Sequence, residues 1–202
     1  MEQKGDAIIV FVRNPELGKV KTRLAQAIGD EATLEVYHKL LAYTKESIIN
    51  LPCHKYIFYT DNITVDDLWD DDIFYKKVQH GADLGERMAN AFNLLFTLGY
   101  TRVMIVGSDC PSLRMCDIEN GFSKMHDAEV VIGPTIDGGY YLLGIQKYLP
   151  NIFKNIHWST EVVLQQTIAA VSDAALTYQL LPTLNDIDTI ADWDNFLLSH
   201  KH

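Results

Sequence analysis

Short apolar runs alternate with longer stretches in which apolar positions recur three and four residues apart. Residues 7–12 form the first run. They carry no polar alternation and so predict a strand buried on both faces. A loop rich in Pro, Gly and Lys follows over residues 13–23. Asp30 is placed to cap a helix in which Leu34, Tyr37, Leu41 and Ile48 share one face, and Asn50-Leu51-Pro52 ends it. Residues 56–59 predict a second strand, 65–72 an acidic surface turn or short helix, and 75–79 a weaker edge strand. Asp83-Leu84-Gly85-Glu86 has capping-box spacing, with Asp in the place of Ser or Thr. The helix after it turns Met88, Phe92 and Leu95 inward and closes at Gly99.

Residues 102–106 predict the central strand, cut off by Gly107-Ser108-Asp109-Cys110-Pro111. A helix is expected over 116–125 and a buried strand over 130–132, broken by Gly133-Pro134. Residues 140–145 return as a strand. Residues 150–156 and 160–171 read as helical, the second with Val163, Leu164, Ile168 and Val171 inward. Residues 176–181 read as a late strand, and Asp188-Thr189 opens a last helix through Trp193 and Phe196. Strand–helix alternation over the first two-thirds predicts a parallel sheet with helices on both faces. No repeat, low-complexity tract or linker interrupts it, so one domain over residues 1–202 is expected.

Composition narrows the function classes. A 48% hydrophobic and 22% charged chain is that of a soluble globular domain. A net charge of −10 opposes binding to a nucleic-acid backbone, which calls for a basic field. A nucleotide or sugar-nucleotide remains compatible through a local basic cluster and a recruited divalent cation. Three cysteines (Cys53, Cys110, Cys116) make no CxxC pair, so neither a disulfide framework nor a zinc knuckle follows. No long apolar segment predicts a membrane span, and the start lacks a signal-like apolar region; a cytoplasmic location is expected.

Three segments, together with the turn after the central strand, carry candidate chemistry. In the first loop, Arg13, Lys19, Lys21 and Arg23 surround Gly18, which permits a turn that a Cβ obstructs. Cations and exposed backbone N–H groups suit a polyphosphate, although the spacing is neither that of a P-loop nor GxGxxG. An aspartate just past a central parallel strand sits where open α/β sheets bind ligands, so Asp109 is a candidate for handling a metal or phosphate. A capping role before Pro111 competes with that reading. In the second segment, Gly133-Pro134 leads to Asp137-Gly138-Gly139-Tyr140-Tyr141. There Asp137 can accept hydrogen bonds from hydroxyls or serve as a base, and a tyrosine can stack on a ligand ring. An ordinary hairpin turn competes. In the third, Asp186 and Asp188 project to one side of an extended segment and suit a hard cation. Here the simple helix start, capped by Asp188 or Thr189 with Asp192 in the first turn, is the stronger reading. Trp158 is either core or a sugar platform, and Ser159 a cap. The seven histidines show no metal-ligand spacing, and no Gly-x-Ser-x-Gly elbow supports a serine hydrolase.

In this order the motifs resemble a family of small bacterial glycosyltransferases, related to the nucleotide-diphospho-sugar transferases of GT-A fold. The resemblance rests on residues 11–15 with Gly18-Lys19-Val20-Lys21-Thr22-Arg23-Leu24, on Asp83 to Met88, and on Gly107 to Pro111. It continues with Gly133-Pro134, Asp137 to Tyr141, Trp158-Ser159-Thr160 and Asp186 to Thr189, so that it spans nearly the whole chain. The chain is more distantly similar to phospholactate and molybdenum-cofactor guanylyltransferases. The resemblance implies a three-layer α/β/α domain with a mostly parallel sheet and one antiparallel strand. It also implies a metal, Mg²⁺ or Mn²⁺, on Asp109 and Asp188, and nucleotide phosphates on Lys21 and Arg23 with Arg13, Gly18 and Lys19. Leu84, Gly85, Arg87 and Ser108 would approach the nucleotide. Asp137, Gly138, Gly139, Tyr140 and Trp158 would face the sugar or acceptor. Asp109, Lys21, Arg23 and Asp137 are the implied catalytic set. Two departures stand out: Asp109 is followed by Cys110-Pro111 rather than completing an Asp-x-Asp, and the opening loop is not Gly-rich.

The expected reaction is glycosyl transfer from a nucleoside-diphosphate sugar to a small-molecule acceptor. The alternatives are nucleotidyl transfer with pyrophosphate release and a non-catalytic nucleotide-binding protein. No nucleic-acid partner is expected, and a homo-oligomer is left open.

Overall fold

Seven strands form one sheet in the order β3-β2-β1-β4-β6-β5-β7 in the computed structural model, which describes residues 4–199. The strands are β1 (Lys4–Val12), β2 (His54–Tyr59), β3 (Phe74–Val78), β4 (Tyr100–Val106), β5 (Val130–Pro134), β6 (Tyr140–Ile145) and β7 (Tyr178–Leu180). Only β6 runs against its neighbours, pairing antiparallel with β4 and β5; the other paired strands are parallel. The mostly parallel sheet with one antiparallel strand is thus the one expected.

The helices are α1 (Thr22–Ile28), α2 (Asp30–Ile48), α3 (Leu84–Thr97), α4 (Met115–Lys124), α5 (Val163–Asp173) and α6 (Ile190–Ser199). Successive strand residues point to opposite faces, and β1 shows the result. Ile8 and Val10 pack with Leu40 and Leu41 of α2, Ile118 of α4 and Trp193 of α6. Ala7 and Ile9 pack with Phe92 and Leu95 of α3 and Val171 of α5. Both faces of the sheet are covered, which is why the strands read as unbroken apolar runs.

Several elements differ from the periodicity. The expected loop 13–23 ends in α1, a seven-residue helix anchored by the fully buried Leu24 and too short to show a repeat. Asp30 is the first helical residue rather than the cap. Gly29, at φ +81°, takes the N-cap position, and Asp30 places its charge in the first turn. Trp69 is only 2% exposed, although its acidic surroundings read as surface; it meets Phe74 edge-on. Residues 150–156 supply only a 3-10 turn over Pro150–Phe153, and α5 starts three residues later than expected. Gly133-Pro134 does not end β5: the strand runs through Pro134 with a shift of register there. Asp83 does cap α3, accepting from the Glu86 N–H at 2.9 Å, but Glu86 reaches back to the Ala82 N–H rather than to that of Asp83.

The chain winds outward from β1 through β2 to β3, then returns to β4 on the other side of β1. The strand order therefore reverses between β1 and β4, and a crevice forms outside their carboxyl ends. No helix among the described residues is long and apolar enough to cross a membrane.

Candidate functional site

Three stretches distant in sequence meet at that crevice. Past β4, a Cβ on Gly107 would lie 2.9 Å from Asp109 Oδ1, so the glycine lets the carboxylate fold back over the turn. The Asp109 carbonyl accepts from the Ile187 N–H (2.9 Å), and the Cys110 thiol donates to the Asn185 carbonyl (3.4 Å). Burial pushes that thiol up to about 12, so it remains a neutral donor. These bonds hold 107–110 against 185–187. Ile187 is buried, and the flanking Asp186 and Asp188 turn the other way. The result is that Asp109, Asp186 and Asp188 each offer an oxygen within 4.8 Å of the others. Asp188 is free for this because Thr189 and Asp192 start α6 between them: Asp192 accepts from the Thr189 N–H (2.8 Å) and hydroxyl (2.7 Å).

Lys21 lies among these carboxylates. Its Nζ donates to Asp109 Oδ2 and Asp188 Oδ1, each at 2.9 Å, and its side chain is 9% exposed. Its backbone is left-handed, φ 44° and ψ 52°, a conformation costing about 1–2 kcal/mol for a non-glycine residue. It caps α1 in this conformation, and the two ion pairs hold it there. Burial alone would lower the Lys21 amine, but the charges of Asp109 and Asp188 outweigh it and raise the amine above its ordinary value. Burial likewise opposes ionisation of Asp109, whose carboxyl Lys21 nevertheless holds below the usual carboxylate range. Asp109 and Asp188 remain 38% and 39% exposed, so the cluster opens to solvent. Arg23, 75% exposed, approaches Asp188 at 3.6 Å.

Tyr37 fastens the first loop. Its hydroxyl accepts from the Arg13 N–H (2.9 Å), donates to the Arg13 carbonyl (3.1 Å) and lies 3.5 Å from Ser108 Oγ. Helix α2 thereby sets both lips of the crevice. Tyr37→Phe deletes a buried hydroxyl with two backbone partners and is expected to destabilise the protein by about 1–3 kcal/mol. Urea denaturation checks this effect, and an unchanged midpoint would count against this role. Elsewhere in the loop, Gly18 takes φ +74°, and Lys19 pairs with Glu16 at 2.5 Å and is largely exposed.

The remaining candidates lie beside β5, β6 and α3. Asp137 accepts from the Thr135 hydroxyl (2.5 Å) and the Gly139 N–H (3.0 Å), bracing its own turn while staying exposed. Gly138, at φ +87°, fits against the Glu161 carbonyl. Gly85 is buried, with the Trp158 indole seated where a Cβ would stand, 2.6 Å from that point. Leu84 is exposed beside it, and Arg87 Nε donates to the Gly81 carbonyl (3.2 Å). The Tyr140 hydroxyl turns inward to Met88 Sδ (3.9 Å), so its ring packs beneath α3.

The sequence pairs Asp109 with Asp188 through the resemblance; it leaves Asp186 at a helix start and Tyr37 in the core. The only sequence signal for Asp186 is its two-residue spacing from Asp188. Burial, with the charges of Asp109, Asp137 and Asp188, pushes the Asp186 carboxyl up to about 7 from 3.8. The folded protein thus keeps that proton between about pH 4 and 7, where the unfolded chain has lost it. Stability therefore falls as pH rises through this window. Asp186→Asn should stabilise the metal-free protein at pH 8, by on the order of 1–2 kcal/mol after solvent screening, and not at pH 4. Denaturation at both pH values tests this; equal effects would count against it.

Three carboxylate oxygens are hard donors and fit Mg²⁺ or Mn²⁺ better than a soft metal. The model of the family described as "Uncharacterized protein conserved in bacteria (DUF2064)" matches residues 47–160. No curated protein is significantly similar in sequence. Among solved structures, a "putative nucleotide-diphospho-sugar transferase" from Desulfovibrio desulfuricans G20 shares 32% identity. That match covers 98% of this chain and 88% of that one, with a TM-score of 0.89. The inositol-1-phosphate CTP transferase of T. maritima shares 12% identity over 92% and 90% of the two chains, TM-score 0.56. Rv0371c of Mycobacterium tuberculosis H37Rv, in complex with manganese, shares 11% over 98% and 100%, TM-score 0.55. The last two likenesses are of fold.

Proposed function

The chain belongs to the bacterial family DUF2064, and from that membership we propose that it transfers a glycosyl group from a nucleoside-diphosphate sugar to a small hydroxyl-bearing acceptor. One observation carries the reading. Carboxylates and a cation separated by 88 and 167 residues converge on one point, at the place where α/β sheets take phosphate-bearing ligands. The name given to the Desulfovibrio relative supports the donor class.

Asp109 and Asp188, with Asp186 as third carboxylate, would hold Mg²⁺ or Mn²⁺, which supplies charge neutralisation to the departing diphosphate. Lys21 and Arg23 pair with phosphate oxygens and favour the charge that grows on them during transfer. Arg13, Lys19 and the turn at Gly18 extend this cationic lip. Ser108 and the Leu84-Gly85-Arg87 segment line the nucleotide side. Asp137 accepts a hydrogen bond, and then the proton, from the acceptor hydroxyl. Gly138, Gly139 and Trp158 shape the sugar and acceptor side; Tyr140, expected there too, instead turns inward beneath α3 and backs that wall.

A second reading, nucleotidyl transfer, is favoured by one observation: Asp109 is followed by Cys110-Pro111 instead of the Asp-x-Asp common in glycosyltransferases. Incubation with Mn²⁺, a panel of nucleoside-diphosphate sugars and triphosphates, and candidate acceptors separates the two. Nucleoside diphosphate release is the expected result. Pyrophosphate release from a triphosphate would establish the second reading instead. Binding without turnover across the panel would indicate a non-catalytic nucleotide-binding protein.

A further inference from the structure

We propose that Lys21 is a resident cation that makes metal binding conditional on a diphosphate ligand. The inference rests on the metal-dependent reading above and concerns how the same site is loaded. Lys21 Nζ takes one oxygen of Asp109 and one of Asp188, the two carboxylates that reading gives to the metal. A divalent cation drawing on the same pair of carboxylates would meet a like charge already among them. Mg²⁺ needs its oxygens about 2.0–2.1 Å away in near-octahedral order, and whichever oxygens of Asp109 and Asp188 it takes, its charge stands beside the ammonium and competes for the same two carboxylates. The inferred response is that the ammonium moves aside when a metal binds.

The backbone confines where it can go. Lys21 is the N-cap of α1, and α1 is anchored by the fully buried Leu24. The side chain can swing on its four-carbon stem, but its Cα stays at the lip. Once displaced, the ammonium loses two charge-assisted hydrogen bonds in a position only 9% exposed. Arg23 offers it no anion. Metal alone therefore binds against the loss of two ion pairs. A diphosphate arriving with the metal supplies new oxygens for the displaced ammonium, and that cost is offset. Such coupling is reciprocal: the metal strengthens diphosphate binding by the same factor.

The test is equilibrium dialysis of Mn²⁺ against the 202-residue chain, with and without inorganic pyrophosphate, counting only metal retained with protein. The unmodified protein should hold Mn²⁺ weakly alone and about tenfold or more tightly with pyrophosphate present. Lys21→Met should hold Mn²⁺ alone about tenfold more tightly than the unmodified protein, with a smaller gain from pyrophosphate than the unmodified protein shows. Lys21→Arg keeps the charge and should keep binding of Mn²⁺ alone weak. Equal retention by the unmodified protein with and without pyrophosphate overturns the inference and leaves the metal-dependent reading standing. So does Lys21→Met that binds Mn²⁺ alone no better than its parent. Failure of every protein to retain Mn²⁺ under either condition overturns the metal-dependent reading itself, and this inference with it. If the methionine variant does not fold, Lys21→Gln, which also removes the charge, gives the same comparison and the same two outcomes.

Discussion

Asp109→Asn is expected to abolish Mn²⁺-dependent nucleotide binding while leaving the protein folded. The substitution keeps the side chain's size and removes its charge at the one carboxylate bonded to Lys21 and also built into the turn after β4. Removing one member of a hydrogen-bonded charged set that a ligand covers typically costs about 2–5 kcal/mol, and the lower end, roughly two orders of magnitude in affinity, applies to a cluster that opens to solvent. Stability should change far less. Lys21 keeps its 2.9 Å contact to Asp188, and the Asp109 backbone still accepts from Ile187. Calorimetric titration with nucleoside diphosphates in the presence of Mn²⁺ reads the effect, with a melting curve as control. Unchanged binding would remove Asp109 from the site.

The largest loss of stability is expected at Gly138→Ala. Gly138 sits at φ +87°, and an added Cβ would lie 2.0 Å from the Glu161 carbonyl oxygen and 2.7 Å from its carbon. Those are backbone atoms with no rotamer to yield. The Gly138 carbonyl also accepts from the Leu164 N–H (2.8 Å), so moving the turn away breaks a hydrogen bond at the start of α5. Left-handed strain of about 1–2 kcal/mol adds to about 1–3 kcal/mol of overpacking. For a chain of this size, a loss of about 3 kcal/mol lowers the melting temperature by roughly 6–12 °C. Gly29→Ala is the control. It shares the positive φ, at +81°, but nothing lies within 4 Å of its added Cβ. It should lose only a conformational part, itself sizeable because φ +81° with ψ 164° is a region essentially reserved for glycine; an unchanged melting temperature for Gly138→Ala would show that the Glu161 contact contributes nothing.

The sheet was legible because its strands are buried on both sides and announce themselves as apolar runs ended by Gly, Pro or Asp. The edge position of β3 was legible too, from its alternation and its paired lysines. Elements governed by tertiary contacts were not. Helix α1 has a single fully buried side chain, too few for any period. The late strand over 176–181 was legible, but only Tyr178–Leu180 pairs, because two of those three residues are exposed and only one neighbour holds them. Trp69 is core because it meets Phe74 from across a loop, and its own neighbours are acidic.

The site divides the same way. Asp109 was readable because a carboxylate stands directly after a central strand. Asp188 needed the resemblance, since its local sequence also makes a sound helix start. Asp186 was visible beside Asp188 as a carboxylate suited to a hard cation, but the helix-start reading outweighed it for a related reason. Which carboxylates face the crevice depends on Ile187 being drawn into the core and on two bonds to residues 109 and 110, and such pairings at long sequence separation leave no local mark. Tyr37 shares the apolar stripe of α2, where nothing distinguishes a tyrosine needed for its hydroxyl from one needed for its ring.

Two of the three clustered carboxylates ride on the last stretch before α6, while the other partners come from the opposite half of the sheet. That arrangement ties ligand affinity to the seating of residues 185–199, through Ile187, Trp193 and Phe196, on the body of the fold. Detachment of α6 with residues 185–189 would dismantle the cluster and leave β1 to β4 paired. Conversely, any ligand that bridges Lys21, Asp109 and Asp188 clasps the C-terminal end to the body, slowing its excursions and shielding its amides from exchange.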